Sequence, residues 1–439
     1  MRWVLMKKRA CWIMAVALLC LITACSSRPD AIETGAGTNN GGSGSGKIGS
    51  GEAKVALSMM VNVADESLTE VYRGIVDGFT KENPDISVNL QFDSTGYENT
   101  MKVKMAANDL PDIFDTHGWA KLRYGEYLAD LRDEPWAANL TDTIRDVVTD
   151  EDGKLYALVL TEAKDGLLYN ADMLKEYGIE VPSTFEELIA AGEKIKEESG
   201  GKTRPFYLSG IDDSMIGQYL DNFASPLLIT APNNQAEALL NGTFDWSGFT
   251  PLAQSLVDLK ERGLMNEDVL TAKRSDLPAA FAAGKATFVL VGPAFMDDVH
   301  KIDPNINIGI MPVPSMIEGD TPTFAGGERN TLALWKDSKH PDEAKKLLQY
   351  FAKPENMAKL SNVSKNPPGL KDVQTNHELT AYYEQYADIR VFPYFDRVYL
   401  PNGMWDVLCK TGTELLAGRV TPEQFSETMK VEVERLSKE

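Results

Sequence analysis

Apolar positions change their period several times along the chain. The stretch Val55–Val61 is apolar-rich throughout and predicts a strand. Leu68, Val71, Tyr72, Ile75, Val76 and Phe79 then recur at i, i+3, i+4 and i+7 spacing and predict a helix. Asn83-Pro84 ends it, because a proline pushes the preceding residue out of the helical region. Ile86, Val88, Leu90 and Phe92 alternate, the period of a strand with one buried face. Strand, helix and strand in this order predict a βαβ unit and an α/β fold.

A second helix is predicted over about 97–108. It leads into Leu110-Pro111-Asp112-Ile113-Phe114-Asp115 and then the loop Thr116-His117-Gly118-Trp119. Loops at the strand ends of an α/β sheet are where ligands collect. Arg123, Tyr124 and Tyr127 continue into a further predicted helix.

The stretch 152–170 organises the rest. Asp152-Gly153 is a turn signal, and the apolar run 155–160 reads as a buried strand. Thr161, Glu162, Ala163, Lys164 and Asp165 follow with no turn dipeptide, and 166–170 resumes as a strand. These residues leave two readings. One is a bent strand or an ordinary loop; the other is an extended segment crossing between two lobes, its polar middle facing a cleft.

Downstream, Thr184 and Glu187 have capping-box spacing, as do Ser183 and Glu186. Phe185, Leu188, Ile189 and Ile195 give that helix an apolar face, and Gly200-Gly201 ends it. Helices are also expected around 257–260, closing near Gly263, from Pro341 through Phe351, and over Pro422–Leu436. A strand is expected at 306–311, and Asp212-Asp213 reads as a solvated turn or a helix cap.

Length and charge narrow the class. At 439 residues the chain exceeds one ordinary core, which predicts two domains. A net charge of −21 argues against nucleic acid and anionic lipid surfaces as partners. Arg2, Lys7, Lys8 and Arg9 precede an apolar run, 10–21, too short to span a bilayer comfortably. It ends in Ile22-Thr23-Ala24-Cys25, which resembles a bacterial lipobox. On that resemblance 1–24 is a lipoprotein signal peptide and Cys25 is the diacylated new N-terminus. The Gly/Ser-rich stretch to residue 52 then forms a tether, unable to bury enough apolar surface to order itself. Cys11 and Cys20 fall in the discarded segment, so after lipidation only Cys409 remains and no internal disulfide can form. CxxC and His/Cys zinc spacings are absent, and His117, His300, His340 and His377 are scattered. No metal and no cofactor are expected.

Several motifs in order carry a resemblance. The run DGKLYALVL…GLLYNADMLKEYGIEVPSTFEEL, the strand 110–115, and 281–293 with its Gly-Lys-Ala and Gly-Pro are similar to the extracellular solute-binding proteins of bacterial ABC importers, in the family that carries sugars. Two positions depart from that pattern: Asn108-Asp109 stands where Gly-Asp or Gly-Thr is usual, and Ala294-Phe295 where a Trp is common. The resemblance covers nearly all of the chain from about Ala53. It implies a two-lobed α/β fold of the periplasmic-binding-protein kind, with three interlobe crossings and a central ligand cleft. The crossings would be 152–170, 324–334 and Asn366-Pro367-Pro368-Gly369. Lobe 1 would be 53–160 and 330–368, and lobe 2 would be 161–329 and 369–439.

A sugar needs aromatic platforms for its C–H face and paired donors and acceptors for its hydroxyls. Candidate platforms are Trp119, Phe295, Tyr394, Phe395 and Trp405, and candidate polar partners are Asp115, His117, Glu162, Asp165 and Arg329. The resemblance implies that Trp119 and Trp405 face the cleft from opposite lobes. Tyr382, Tyr383 and Tyr386 read as a helix packing on the core. The aromatic supply around 394–405 suggests an oligosaccharide rather than a monosaccharide. No GxSxG elbow, P-loop lysine or HExxH is present. The expectation is therefore a monomeric, non-enzymatic capture protein delivering sugar to permease subunits. It would be lipid-anchored on the outer face of the cell membrane, or in the periplasm of a cell with two membranes. A secreted carbohydrate-active enzyme and a binding protein for a non-sugar solute, such as a peptide, remain as alternatives.

Overall fold

The structure, a computed structural model, describes residues 54–438. The expected signal peptide, Cys25 and the tether lie outside the described residues. The chain enters with β1 (Val55–Val61), β2 (Ile86–Phe92) and β3 (Ile113–Phe114), all parallel, with Val55 opposite Ile86 and Met59 opposite Ile113. Between β1 and β2 runs the helix Glu66–Glu82, whose N-cap Asp65 accepts from the Leu68 N–H. Leu68, Tyr72, Ile75, Val76 and Phe79 are its buried face, as their period requires.

The centre is built from β4 (Leu158–Asp165), in which every residue is buried, and β5 (Leu167–Asn170). A small ribbon follows, β6 (Ile229–Thr230) with β7 (Asn233–Asn234), and then β8 (Phe288–Val289), β9 (Ile308–Met311), β10 (Phe324–Leu334) and β11 (Val391–Pro393). One sheet has the order β11-β10-β3-β1-β2, with β4 also paired to β10; a second has the order β8-β5-β9.

Two hydrophobic cores divide these elements. The first runs from Leu57 to Leu160 and takes in Leu332 to Leu370; the second runs from Leu167 to Phe324 and takes in Leu379 to Met429. Both β4 and β10 therefore pass from one core to the other. They pair antiparallel along the way, from Ala325 opposite Asp165 to Leu332 opposite Leu158, with the register shifting at Asn330. The segment Asn366-Pro367-Pro368-Gly369, expected as the third crossing, lies beside them: Thr161 bridges Pro368, and the Glu162 N–H donates to the Pro367 carbonyl at 2.8 Å. Leu360 and Leu370 on either side of it both pack in the first core, however, so the third passage falls after it, between Leu370 and Leu379. Gly326 permits the close pairing of β10 with β4, since a Cβ there would stand 1.9 Å from the Ala163 carbonyl oxygen.

Some elements differ from expectation. The helix expected after Arg123 is a series of turns with one 3-10 turn, Gly125–Tyr127. Leu122 is 65% exposed there, so no continuous apolar stripe forms. The strand expected from Leu155 begins only at Leu158. The stretch 281–293 holds the end of the helix Leu277–Ala282 and the two-residue β8. Of the two candidate capping boxes, Thr184 with Glu187 forms. The helix Ser214–Leu228 was not among the expected elements, although Met215, Ile216, Tyr219, Leu220 and Phe223 recur at helical spacing. It is buried at every position except Ser214 and Gln218.

Candidate functional site

The two strands that join the cores bring one group of candidates together. Asp165 closes β4, Arg329 sits on β10, and Tyr394 follows β11. Arg329 Nη2 donates to Asp165 Oδ1 and Oδ2 at 2.5 and 2.6 Å, and Tyr394 OH donates to Oδ2 at 2.5 Å. A buried carboxylate is thereby neutralised by one cation and one phenol. Burial pushes the Tyr394 phenol well up, so it stays a donor.

The 115–119 loop forms the facing wall. Asp115 is fully buried; its Oδ1 accepts from the His117 N–H at 2.9 Å and from Thr331 Oγ1 at 2.7 Å. These bonds pin the loop to β10. Its Oδ2 has no partner among the described residues, and burial raises its pKa. His117 takes a left-handed backbone, φ 46°, and its Nδ1 lies 3.5 Å from Glu98. Gly118 also has positive φ, 81°, and a Cβ there would stand 1.8 Å from Arg397 Nη1. Trp119 is half-buried. The Arg123 guanidinium lies 4.2 Å from its ring centre and that of Arg397 lies 5.4 Å away. Arg397 also lies 4.4 Å from the Tyr394 ring, so it links the two walls.

Acidic groups back this bridge. Glu328 is buried and accepts from the Ala120 N–H. The Asp396 N–H donates to Asp221 Oδ1 at 2.7 Å, which brings two carboxyls together beside Arg397. Burial, and for Asp221 the neighbouring Asp396 charge as well, raises both pKa values. A carboxyl raised in this way stabilises the fold fully below its unfolded pKa, about 3.9 for Asp. That stability is lost as pH rises through the folded value. Asp221→Asn keeps an acceptor for the Asp396 N–H and removes the titration. Its melting temperature should fall less than that of the wild type between pH 4 and pH 8. Parallel melting curves for the two proteins across that range would show that Asp221 is not the titrating group.

Other candidates lie elsewhere. Glu162 is buried and accepts from Thr141 Oγ1 and from Thr143 Oγ1, the latter at 2.9 Å, so it is committed to the start of the helix Asp142–Val148. Phe395 is fully buried in the second core, 6.0 Å from Phe249 and 5.2 Å from Tyr399 between ring centres. It is a packing residue rather than a platform, because it occupies the inward side of the short helix Phe395–Tyr399. Tyr383 is buried in the helix Thr380–Gln385, as a core-packing helix requires. Phe295 meets Phe281 edge-on at 5.3 Å and lines a cavity of about 940 Å³ with Ile211, Asp212, Arg274 and Asp298. Gly292 lines the same cavity, and a Cβ there would stand 4.0 Å from Arg329 Nη1, so the cavity adjoins the Asp165–Arg329–Tyr394 group. Trp405 is half-buried, its Cη2 3.5 Å from where a Cβ on Gly217 would stand.

Sequence reasoning missed Arg397, Glu328 and Asp221. For Arg397 a signal existed: it stands three residues after Tyr394 in an aromatic block, the spacing that lets a guanidinium reach a ring.

Comparison with known proteins places this geometry. The profile described as bacterial extracellular solute-binding protein matches residues 65–358. The melibiose/raffinose/stachyose-binding protein MelE of Bacillus subtilis strain 168 is 44% identical over 385 residues, covering 88% of this chain and 90% of that protein. Among solved structures, the binding protein MsmE of Bacillus subtilis in an open conformation is 44% identical with a TM-score of 0.85, covering 88% of this chain and 98% of that one. A sugar transporter protein from Bacillus licheniformis in complex with stachyose is 46% identical with a TM-score of 0.78, covering 87% of this chain and 100% of that one. At nearly equal identity, then, the chain superposes more closely on the open conformation than on the stachyose complex. This chain belongs to the bacterial extracellular solute-binding protein family, and its two cores with their three joining passages are the two lobes around that fold's central ligand cleft.

Proposed function

We propose that this chain captures an oligosaccharide of the melibiose, raffinose and stachyose kind outside the cell and hands it to the permease of an ABC importer. The observation that carries the reading is the match to a stachyose-bound relative along that relative's whole length. The site's chemistry agrees with it. Half-buried aromatic rings stand beside charged donors and acceptors, next to a cavity of about 940 Å³, near the upper end for small-molecule sites. Lobe 1 is assigned to 53–160 and 330–373 and lobe 2 to 161–329 and 374–439, the last boundary moved from the expected 368 because Leu370 and Val373 pack in the first core. A ligand touching both lobes stabilises the closed state, since only that state offers all its contacts. Trp119, Tyr394, Asp165 and Arg329 are assigned to the ligand, with Phe295 and Trp405 on the second-lobe side; Asp115 and His117 shape the loop that presents Trp119.

The protein binds and does not turn over its ligand. Stachyose at about 100 times its Kd adds about 2.7 kcal/mol to stability, read as a raised melting temperature. One bound sugar per chain by calorimetry, with the oligosaccharide recovered intact, is the expected result. Saturating raffinose and stachyose that leave the melting temperature unmoved, or sugar cleaved at catalytic protein levels, would overturn the reading.

Cys25 is assigned as the diacylated N-terminus, with the Gly/Ser-rich stretch as tether and the body on the outer face of the membrane. Full-length protein should fractionate with membranes and Cys25→Ala should not. A Cys25→Ala variant that stays membrane-bound refutes the anchor without touching the sugar reading.

A further inference from the structure

Arg397 presents five N–H donors on a rigid planar group. Among the described residues its backbone N–H donates to the Tyr394 carbonyl at 3.2 Å, while its guanidinium makes no hydrogen bond and no ion pair. The neighbouring cations are committed: Arg329 to Asp165 and Arg123 to Glu98. The Arg397 guanidinium is held instead by faces, 4.4 Å from the Tyr394 ring centre, 5.4 Å from that of Trp119, and with Nη1 against Gly118. Ring faces and a glycine restrain a guanidinium without using its donors, which stay in its plane for an outside acceptor. The group is half-buried and its unpartnered nitrogens still reach solvent, so they are open to an outside acceptor.

The surrounding charge narrows what that acceptor is. Glu328, Asp221 and Asp396 all act electrostatically on this one guanidinium. Burial holds all three carboxyls back from full ionisation, and the negative charge they do carry lowers the positive potential that Arg397 offers an anionic ligand. A neutral polyol brings oxygen acceptors for Arg397 and hydroxyl donors for the acids, and adds no charge.

We infer that Arg397 is a ligand-contacting, specificity-determining residue, which donates paired hydrogen bonds to hydroxyl oxygens of a neutral sugar ring seated beside Trp119 and, with carboxyls around it, disfavours an acidic sugar. The inference rests on the oligosaccharide reading above.

Calorimetry separates the two. Wild-type protein, Arg397→Ala and Arg397→Lys are titrated with stachyose and with tri-galacturonate, and each variant's melting temperature is recorded without sugar. The wild type should bind stachyose and not tri-galacturonate. Arg397→Ala should bind stachyose about 10- to 100-fold more weakly, the loss expected for hydrogen bonds to a charged group. Arg397→Lys keeps the charge and the stem but not the planar fork, and should recover only part of that loss. Because Arg397→Lys is the milder change, it decides the matter should Arg397→Ala prove unfolded. Wild type that binds no neutral oligosaccharide sinks the functional reading. Wild type that binds stachyose alongside folded variants that bind it within twofold, or more tightly, sinks the assignment of Arg397 alone. Tri-galacturonate bound as tightly as stachyose removes the selectivity argued from the acidic surround.

Discussion

Arg329→Met should lower the unfolding free energy by about 2–4 kcal/mol, the largest stability loss expected from any single change in the site. Arg329 Nη2 donates to both carboxyl oxygens of Asp165, the last residue of β4, from a position on β10. Removing the cation leaves the Asp165 carboxyl buried with only the Tyr394 hydroxyl as a side-chain donor. Breaking a buried pair from one side costs about 3–5 kcal/mol. The lower range applies here because the Arg329 side chain is 30% exposed, and water softens the loss. The companion change Asp165→Leu in the same chain removes the stranded charge, and the double variant should recover a large part of the deficit. Denaturant midpoints for wild type, single and double variants make the comparison. A single variant that unfolds at the wild-type midpoint would mean that this pair does not hold the joining strands.

Where one period covers a whole element, the sequence can be read directly. Helix Glu66–Glu82 buries the residues that its spacing picks out, apart from half-buried Val71. The extended stretch at β4 was legible as extended, because a long apolar run met a polar one with no turn residue between them. That it joins two cores was not legible from those residues; the resemblance carried that expectation. Helix Ser214–Leu228 was legible too: its apolar residues recur at helical spacing, but its polar positions, among them Asp221 and Asn222, are also buried, which the period alone does not show.

The site was partly legible for a related reason. Residue type named Asp165, Arg329 and Tyr394 as suitable partners, but 229 positions separate Asp165 from Tyr394 and only the fold brings them within hydrogen-bond reach. Adjacent residues can also point opposite ways. Tyr394 turns to Asp165 while Phe395 enters the core against Phe249, and an aromatic pair read along a line does not reveal that division. Arg397 had a spacing signal beside Tyr394, but its contact with Trp119 on the other wall depends on Phe395 anchoring the short helix that carries it. Glu162 satisfied the residue type expected of a ligand partner, yet two threonine hydroxyls already occupy its carboxylate.

Trp119→Ala should weaken stachyose binding toward the upper end of a 5- to 150-fold range, and Trp405→Ala toward the lower end. The range follows from about 1–3 kcal/mol for burying an apolar side chain, at about 1.4 kcal/mol per decade of affinity. Both rings are half-buried, so each leaves surface for the C–H face of a sugar. Their surroundings set the order. Trp119 lies within 4.2 Å of Arg123 and 5.4 Å of Arg397, so its removal deletes a platform and also frees the guanidinium that bridges the two walls. Trp405 rests beside Gly217 on the helix Ser214–Leu228, and its loss affects the second lobe alone. Trp119→Phe, which keeps a ring, should retain most of the affinity. Calorimetry with stachyose on all three variants, with melting temperatures taken without sugar, supplies the measurement. Unchanged affinity in both alanine variants would mean that the ligand does not lie between these two rings. An alanine variant that fails to fold would identify its tryptophan as a packing residue, and Trp119→Phe would then carry the comparison at the first lobe.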